Sequence, residues 1–158
     1  MRGEFAKLRA PETVYPGALG GVIAPMATDG SSVFVPVVNH PVTITSQTAK
    51  QESGPASGEL VALDLATGAL RWARRFPSPA LGAATVVNDV VFVTTFDGTL
   101  YALDSATGEP LWQSHLSAGS NTGVAVSGRT LLAPAGAALA SGQEPELEAF
   151  RLPANSTK

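Results

Sequence analysis

Two fifteen-residue stretches, 40 positions apart, constrain this chain more than anything else in it. The first runs Gly58-Glu59-Leu60-Val61-Ala62-Leu63-Asp64-Leu65-Ala66-Thr67-Gly68-Ala69-Leu70-Arg71-Trp72. The second runs Gly98-Thr99-Leu100-Tyr101-Ala102-Leu103-Asp104-Ser105-Ala106-Thr107-Gly108-Glu109-Pro110-Leu111-Trp112. Gly, Leu, Ala-Leu-Asp, Ala-Thr-Gly and Trp coincide in register. A repeat of this period means copies of one supersecondary unit, each unable to bury its apolar face alone and obliged to stack on its neighbour.

The rest of the unit is a hairpin that precedes each copy. Val22 to Ala27, the turn Thr28-Asp29-Gly30-Ser31, and Ser32 to Val38 form one. Ala83 to Val87, Asn88-Asp89, and Val90 to Thr95 form the next, and Gly123 to Val126, Ser127-Gly128-Arg129, and Thr130 to Ala133 a third. Short apolar runs separated by Gly, Asn and Asp turns are strands, and sustained helical periodicity is missing. Four strands, A to D, in about 40 residues make the blade of a β-propeller. The expected blades are 20–76, 82–116 and 122–152. They follow an N-terminal segment and entry loop, 1–19, and precede a tail, 153–158. The third copy, Glu146-Leu147-Glu148-Ala149-Phe150-Arg151-Leu152, stops before a Thr-Gly turn or a Trp, so that blade is incomplete. The fold class is all-β, a partial propeller of about three four-stranded antiparallel blades. Closed propellers have about four to eight. The partners expected are therefore the remaining blades of a larger propeller, or another copy of the chain. Gly3 to Leu8 is one further strand candidate, the tail of a preceding blade.

Composition removes several function classes. Without cysteine, disulfides, thiolate metal sites and cysteine nucleophiles are excluded. The formal net charge of −3 and the shortness of the one basic cluster, Arg71-Trp72-Ala73-Arg74-Arg75, argue against nucleic acid as a partner. No run approaches the roughly 18 apolar residues of a membrane helix, and residues 1–7 lack the apolar core of a signal peptide.

The repeated motif has a structural reading residue by residue. Asp64 and Asp104 end strand C, where a carboxylate can accept backbone N–H bonds from the following turn. Thr67-Gly68 and Thr107-Gly108 complete that turn, with glycine supplying the positive φ. Trp72 and Trp112 follow on strand D and lie against the next blade. Equivalent positions in successive blades are separated by a whole blade step, so Asp64 and Asp104 are not an acid–base pair.

The Leu-Tyr-Ala-Leu-Asp-x-Ala-Thr-Gly-x-x-x-Trp string of residues 100–112, echoed at 60–72, resembles the tryptophan-docking repeat of the pyrroloquinoline-quinone (PQQ)-type β-propellers. That family holds quinoprotein alcohol dehydrogenases and non-catalytic relatives such as the outer-membrane assembly lipoprotein. The loop from Tyr15-Pro16-Gly17 to Gly20-Gly21 also looks like the glycine pair before a late blade of the dehydrogenases. The resemblance implies PQQ and calcium at the centre of a complete ring, held by a catalytic Asp, a Glu and Asn metal pair, a flat Trp and commonly a vicinal disulfide. None of these maps onto a position in this sequence, and the disulfide is impossible here. It also implies an extracytoplasmic location.

Function is expected where D-to-A and B-to-C connections converge on the channel. The insertions 39–57 and 134–145 both join strand B to strand C, and the entries 16–21, 77–82 and 117–123 lead into strands A. Gly20, Gly21, Asn39, Asn121 and Thr122 are the residues expected to meet a cofactor, their amides and backbone being able to bind a carbonyl, a carboxylate or a cation. His40 and His115, the two histidines, occupy different positions in different blades and do not form a metal site. Gln47 to Ser57, polar and rich in Gly and Ser, reads as a mobile loop. Two functions follow: a binding or scaffold module without catalysis, or the C-terminal portion of a PQQ-dependent alcohol dehydrogenase with its catalytic residues on other blades. Self-assembly through open blade edges is a third.

Overall fold

A computed structural model of the chain describes residues 11–46, 50–52 and 54–152. The strand candidate Gly3 to Leu8 and the tail 153–158 lie outside the described residues. The described elements are strands only, arranged in four antiparallel sheets. The first blade pairs β2 (Ala27–Thr28), β3 (Ser32–Asn39), β6 (Ser57–Asp64) and β7 (Leu70–Phe76) in that order. The second pairs β8 (Thr85–Val87), β9 (Val90–Thr94), β10 (Thr99–Asp104) and β11 (Pro110–His115). The third has three strands, β12 (Ala125–Ser127), β13 (Thr130–Ala135) and β14 (Glu146–Arg151).

Strands B and C of the first two blades hold most of the buried residues, in patterns close to the alternation that sheets packed face to face demand. In β6, Gly58, Leu60 and Ala62 are buried and their neighbours half-buried. Those buried faces meet in two seams. Phe34, Leu60, Trp72 and Phe76 of the first blade pack on Val91, Val93 and Leu103 of the second. Leu100 and Leu116 of the second blade pack with Val124, Leu131 and Ala133 of the third. Stacked rings stitch the first seam, with Phe76 and Tyr101 centroids 4.6 Å apart.

Two segments differ from expectation. Strand A of the first blade is short, Ala27–Thr28 rather than Val22 to Ala27. The chain before it is otherwise engaged: Gly21, at φ 107°, exchanges hydrogen bonds with Val38, and the Pro25 carbonyl accepts from Ala84 N–H of the second blade. Proline lacks the N–H a ladder requires. The 39–57 insertion is not a plain loop. Its β4 (Val42–Ile44) pairs with β1 (Glu12–Val14) on one side and with β5 (Lys50–Glu52) on the other, a small sheet beside the first blade.

Candidate functional site: the strand-A entry face

The repeated motif lies at the strand C to D turns and is self-contained. Asp64 Oδ1 accepts from the N–H groups of Ala66 and Thr67 and from Thr67 Oγ1 at 2.8–3.1 Å. Asp104 repeats the arrangement with Ala106 and Thr107 at 2.9–3.0 Å. Gly68 and Gly108 close the turns at φ 72° and 73°. Each carboxyl is held below its ordinary range. For Asp64 the largest cause is the Arg71 guanidinium, bonded to Oδ2 at 2.8 Å, followed by the Thr67 hydroxyl. For Asp104 it is the Thr107 hydroxyl, Leu111 standing where the first blade has Arg71.

The two tryptophans behave differently. Trp72 is 9% exposed, its ring against Gly108 and its Nε1–H donating to the Ser105 carbonyl at 2.9 Å. Trp112 is 41% exposed and meets Phe150 edge-on, centroids 5.1 Å apart. The repeated motif residues are the same, but the third blade has no Thr-Gly turn among the described residues to receive the second indole.

The opposite ends of the strands carry the entries, and there the three blades repeat one device. In the first, Gly21 bridges Val38. In the second, Gly82 N–H donates to the Thr94 carbonyl and Phe96 N–H to the Pro79 carbonyl. In the third, Gly119 bridges Ala137, and Ser120 Oγ donates to the Pro134 carbonyl at 2.7 Å. Each entry loop is thus sewn to the end of its own strand B or the insertion that follows.

Gly20, Gly21 and Asn39 come together at the entry of the first blade. A Cβ on Gly20 would stand 2.6 Å from Pro16 Cβ and 2.8 Å from the Val38 carbonyl, so the glycine permits a close backbone approach. Asn39 ends β3 opposite Ser57. Asn121 and Thr122 stand apart from these, exposed at the entry of the third blade. The Thr122 carbonyl accepts from buried Thr94 Oγ1 at 2.8 Å. That tie between blades is a backbone contact, and Thr94 was not among the residues singled out from sequence. Gly82 belongs with it, because a Cβ there would sit on Thr94 Oγ1. Only the spacing of a glycine against a strand-B threonine could have signalled it.

Among the described residues no three of His, Cys, Asp and Glu gather into a group able to hold a metal ion. The described entry face therefore gathers no cluster of carboxylates for calcium, and a PQQ–calcium centre there would draw its carboxylates from elsewhere. Among the described residues no helix is long and apolar enough to cross a membrane.

A family profile described as outer membrane protein assembly factor BamB matches residues 16–152. The polyvinylalcohol dehydrogenase of a Pseudomonas species is 37% identical over 67 residues, 42% of this chain and 10% of that protein. The enzyme of the same name from Sphingopyxis strain 113P3 is 34% identical over 70 residues, 44% of this chain and 11% of its own length. Among solved structures, quinohemoprotein alcohol dehydrogenase from Comamonas testosteroni superposes with a TM-score of 0.65 at 25% identity, covering 79% of this chain and 24% of the enzyme. The quinohemoprotein alcohol dehydrogenase ADHIIG from Pseudomonas putida superposes at 0.68 with 18% identity, covering 86% and 25%. The chain thus spans about a tenth of the curated relatives and a quarter of the solved chains.

Proposed function

The chain belongs to the PQQ-like β-propeller family, and from that premise we propose that it is a binding and scaffold module without chemistry of its own, three blades from the C-terminal side of a larger propeller. The observation that carries this reading is the use made of the polar groups at the strand-A entries. Ser120 and the backbone of Gly21 and Gly82 fasten each entry loop to its own blade, and Thr94 fastens the second blade to the entry of the third. Such a face is a rigid rim on which loops can present a surface, the usual role of exposed connections on a fixed scaffold. The exposed Asn121 and the half-buried Asn39 are the side chains it offers to a ligand.

A second reading has its own support: both curated relatives are dehydrogenases, and one solved neighbour at 25% identity is a quinohemoprotein alcohol dehydrogenase. In that case the chain is the C-terminal portion of a PQQ-dependent alcohol dehydrogenase and the reacting groups lie on other blades. Titration calorimetry with PQQ in calcium-containing buffer, followed by dye-linked alcohol oxidation on the assembled ring, separates the two. The scaffold reading expects no dye reduction. Turnover that depends on PQQ would overturn it.

A further inference from the structure

We propose that β11, the outermost strand of the second blade, pairs antiparallel with β11 of a second copy of this chain, about a two-fold axis at Ser114. The inference goes beyond the scaffold reading and stands apart from it. The strands of the third blade follow β11 in the chain, so its free edge belongs to the blade and owes nothing to a chain end.

The first observation is which backbone groups that edge leaves free. β11 bonds to β10 and, among the described residues, to no strand on its other side. Residues of an antiparallel ladder turn their N–H and C=O groups alternately toward the partner and away from it. Leu116 N–H donates to the Gly98 carbonyl at 2.9 Å, which turns the even-numbered residues of the straight run toward β10. Ser117 N–H accordingly points outward, and Glu148 Oε1 of the third blade accepts it at 2.6 Å. Gln113 and His115 present the remaining outward groups, beyond the bulge that leaves Leu111 unpaired.

The second observation is that the first blade guards this edge and the second does not. Forty positions earlier, β7 carries Arg71, Arg74 and Arg75 where β11 has Leu111, Ser114 and His115. The Arg75 side chain is 91% exposed, and Pro77, in the place of Ser117, has no N–H to offer. Charges and proline on an edge strand are the devices that deny it to another chain. β11 has its proline only at the start, before the bulge, and no Lys, Arg, Asp or Glu along its length.

The third observation is that the strand matches itself. A two-fold axis at Ser114 sets Gln113 of each copy opposite His115 of the other, so both free residues of each strand exchange backbone bonds. Ser114 then faces its own counterpart in the closest kind of pair, with Cα atoms about 4.5 Å apart. Two hydroxyls accept that approach and can bond across it. In β7 the residue on the axis would be Arg74, and a like charge directly opposite repels it. Trp112 lies on the same face of β11 as Ser114 and is 41% exposed, so the incoming strand would cover its outer side.

The test is the mass of the full chain in solution, by light scattering and sedimentation from about 1 µM to about 1 mM. The wild type is expected to rise to twice the chain mass, with amide exchange at Gln113 and His115 slowing over the same range. Ser114→Arg, which copies Arg74, should weaken association by at least about tenfold. Gln113→Pro should do the same, because it removes an outward N–H that the blade itself does not use. Ser114→Thr keeps the hydroxyl and should associate as the wild type does. Far-ultraviolet circular dichroism checks that the variants keep their sheets, and the exchange measurement on the wild type stands without any of them. A chain that stays monomeric throughout the range overturns the inference. So does an association that leaves Gln113 and His115 exchanging freely, or one that a folded Ser114→Arg or Gln113→Pro variant retains in full.

Discussion

Gly108→Ala isolates what holds one blade to the next. Gly108 and Gly68 have nearly the same φ, 73° and 72°, so an alanine at either pays the same backbone cost. That cost is about 1–2 kcal/mol for a left-handed L-residue, reduced by about 0.4–1 kcal/mol because alanine also restricts the unfolded chain. Gly68→Ala should therefore cost about 1 kcal/mol, since its Cβ would have nothing within 4 Å. At Gly108 the new Cβ would lie 2.6 Å and 2.7 Å from Cε3 and Cδ2 of Trp72. The indole would have to retreat by about 1 Å to regain ordinary contact, which strains its 2.9 Å bond to the Ser105 carbonyl. Overpacking of this kind costs about 1–3 kcal/mol and a lost hydrogen bond about 1 more, which with the backbone cost totals about 3–5 kcal/mol. With a urea slope of about 2 kcal/mol per molar, the midpoint falls by about 1.5–2.5 M for Gly108→Ala and by about 0.5 M for Gly68→Ala. The assay is equilibrium urea unfolding followed by the emission of Trp72, in a Trp112→Phe background. Equal midpoints for the two alanine variants would refute the claim that the indole–glycine corner is what the second site protects.

Three further outcomes can be checked. Arg71→Leu, which copies the residue found at position 111, should raise the Asp64 carboxyl pKa toward that of Asp104 while leaving Asp104 unchanged, read by carbon-13 NMR. Because both carboxyls are held below their ordinary value of 3.8 in the folded chain, their contribution to stability is complete above that value and is lost as pH falls through the folded values; the acid midpoint of Arg71→Leu should accordingly move to higher pH. Thr94→Val deletes the donor to the Thr122 carbonyl and should cost about 1–2 kcal/mol, with faster amide exchange confined to the 118–123 entry. Acrylamide should quench Trp112 well before Trp72, because their exposures are 41% and 9%.

The parts of this structure that could be read in the sequence are those whose hydrogen bonds stay within a few residues. Asp64 and Asp104 find their partners two and three residues on, so the turn, its glycine and the strand that follows are written locally. The parts that could not be read depend on distant backbone. The pairing of β4 with β1 joins residues some 30 positions apart, and no local pattern in either short segment signals its partner. The short first strand A follows from where the Pro25 carbonyl finds a donor, which is in another blade. Thr94 escaped notice because its partner is a carbonyl, and carbonyls are common to every residue. Gly20, Gly21 and Asn39 cluster with one another through sequence proximity and the Gly21–Val38 bridge, while Asn121 and Thr122 belong to a different entry. The unequal burial of Trp72 and Trp112 arises from the neighbour each one faces, which no comparison of the two strings contains.

The indole–glycine corner is directional: a blade gives a ring to the blade after it and offers a turn to the blade before it. Both halves are encoded within one stretch of about 15 residues. A duplicated blade therefore arrives with a complete set of connectors, compatible on both sides with its parents from the moment it appears. Insertion or loss of whole blades needs no compensating change at the junctions, and circumference becomes a trait that can drift by recombination alone while the interior of each blade stays untouched.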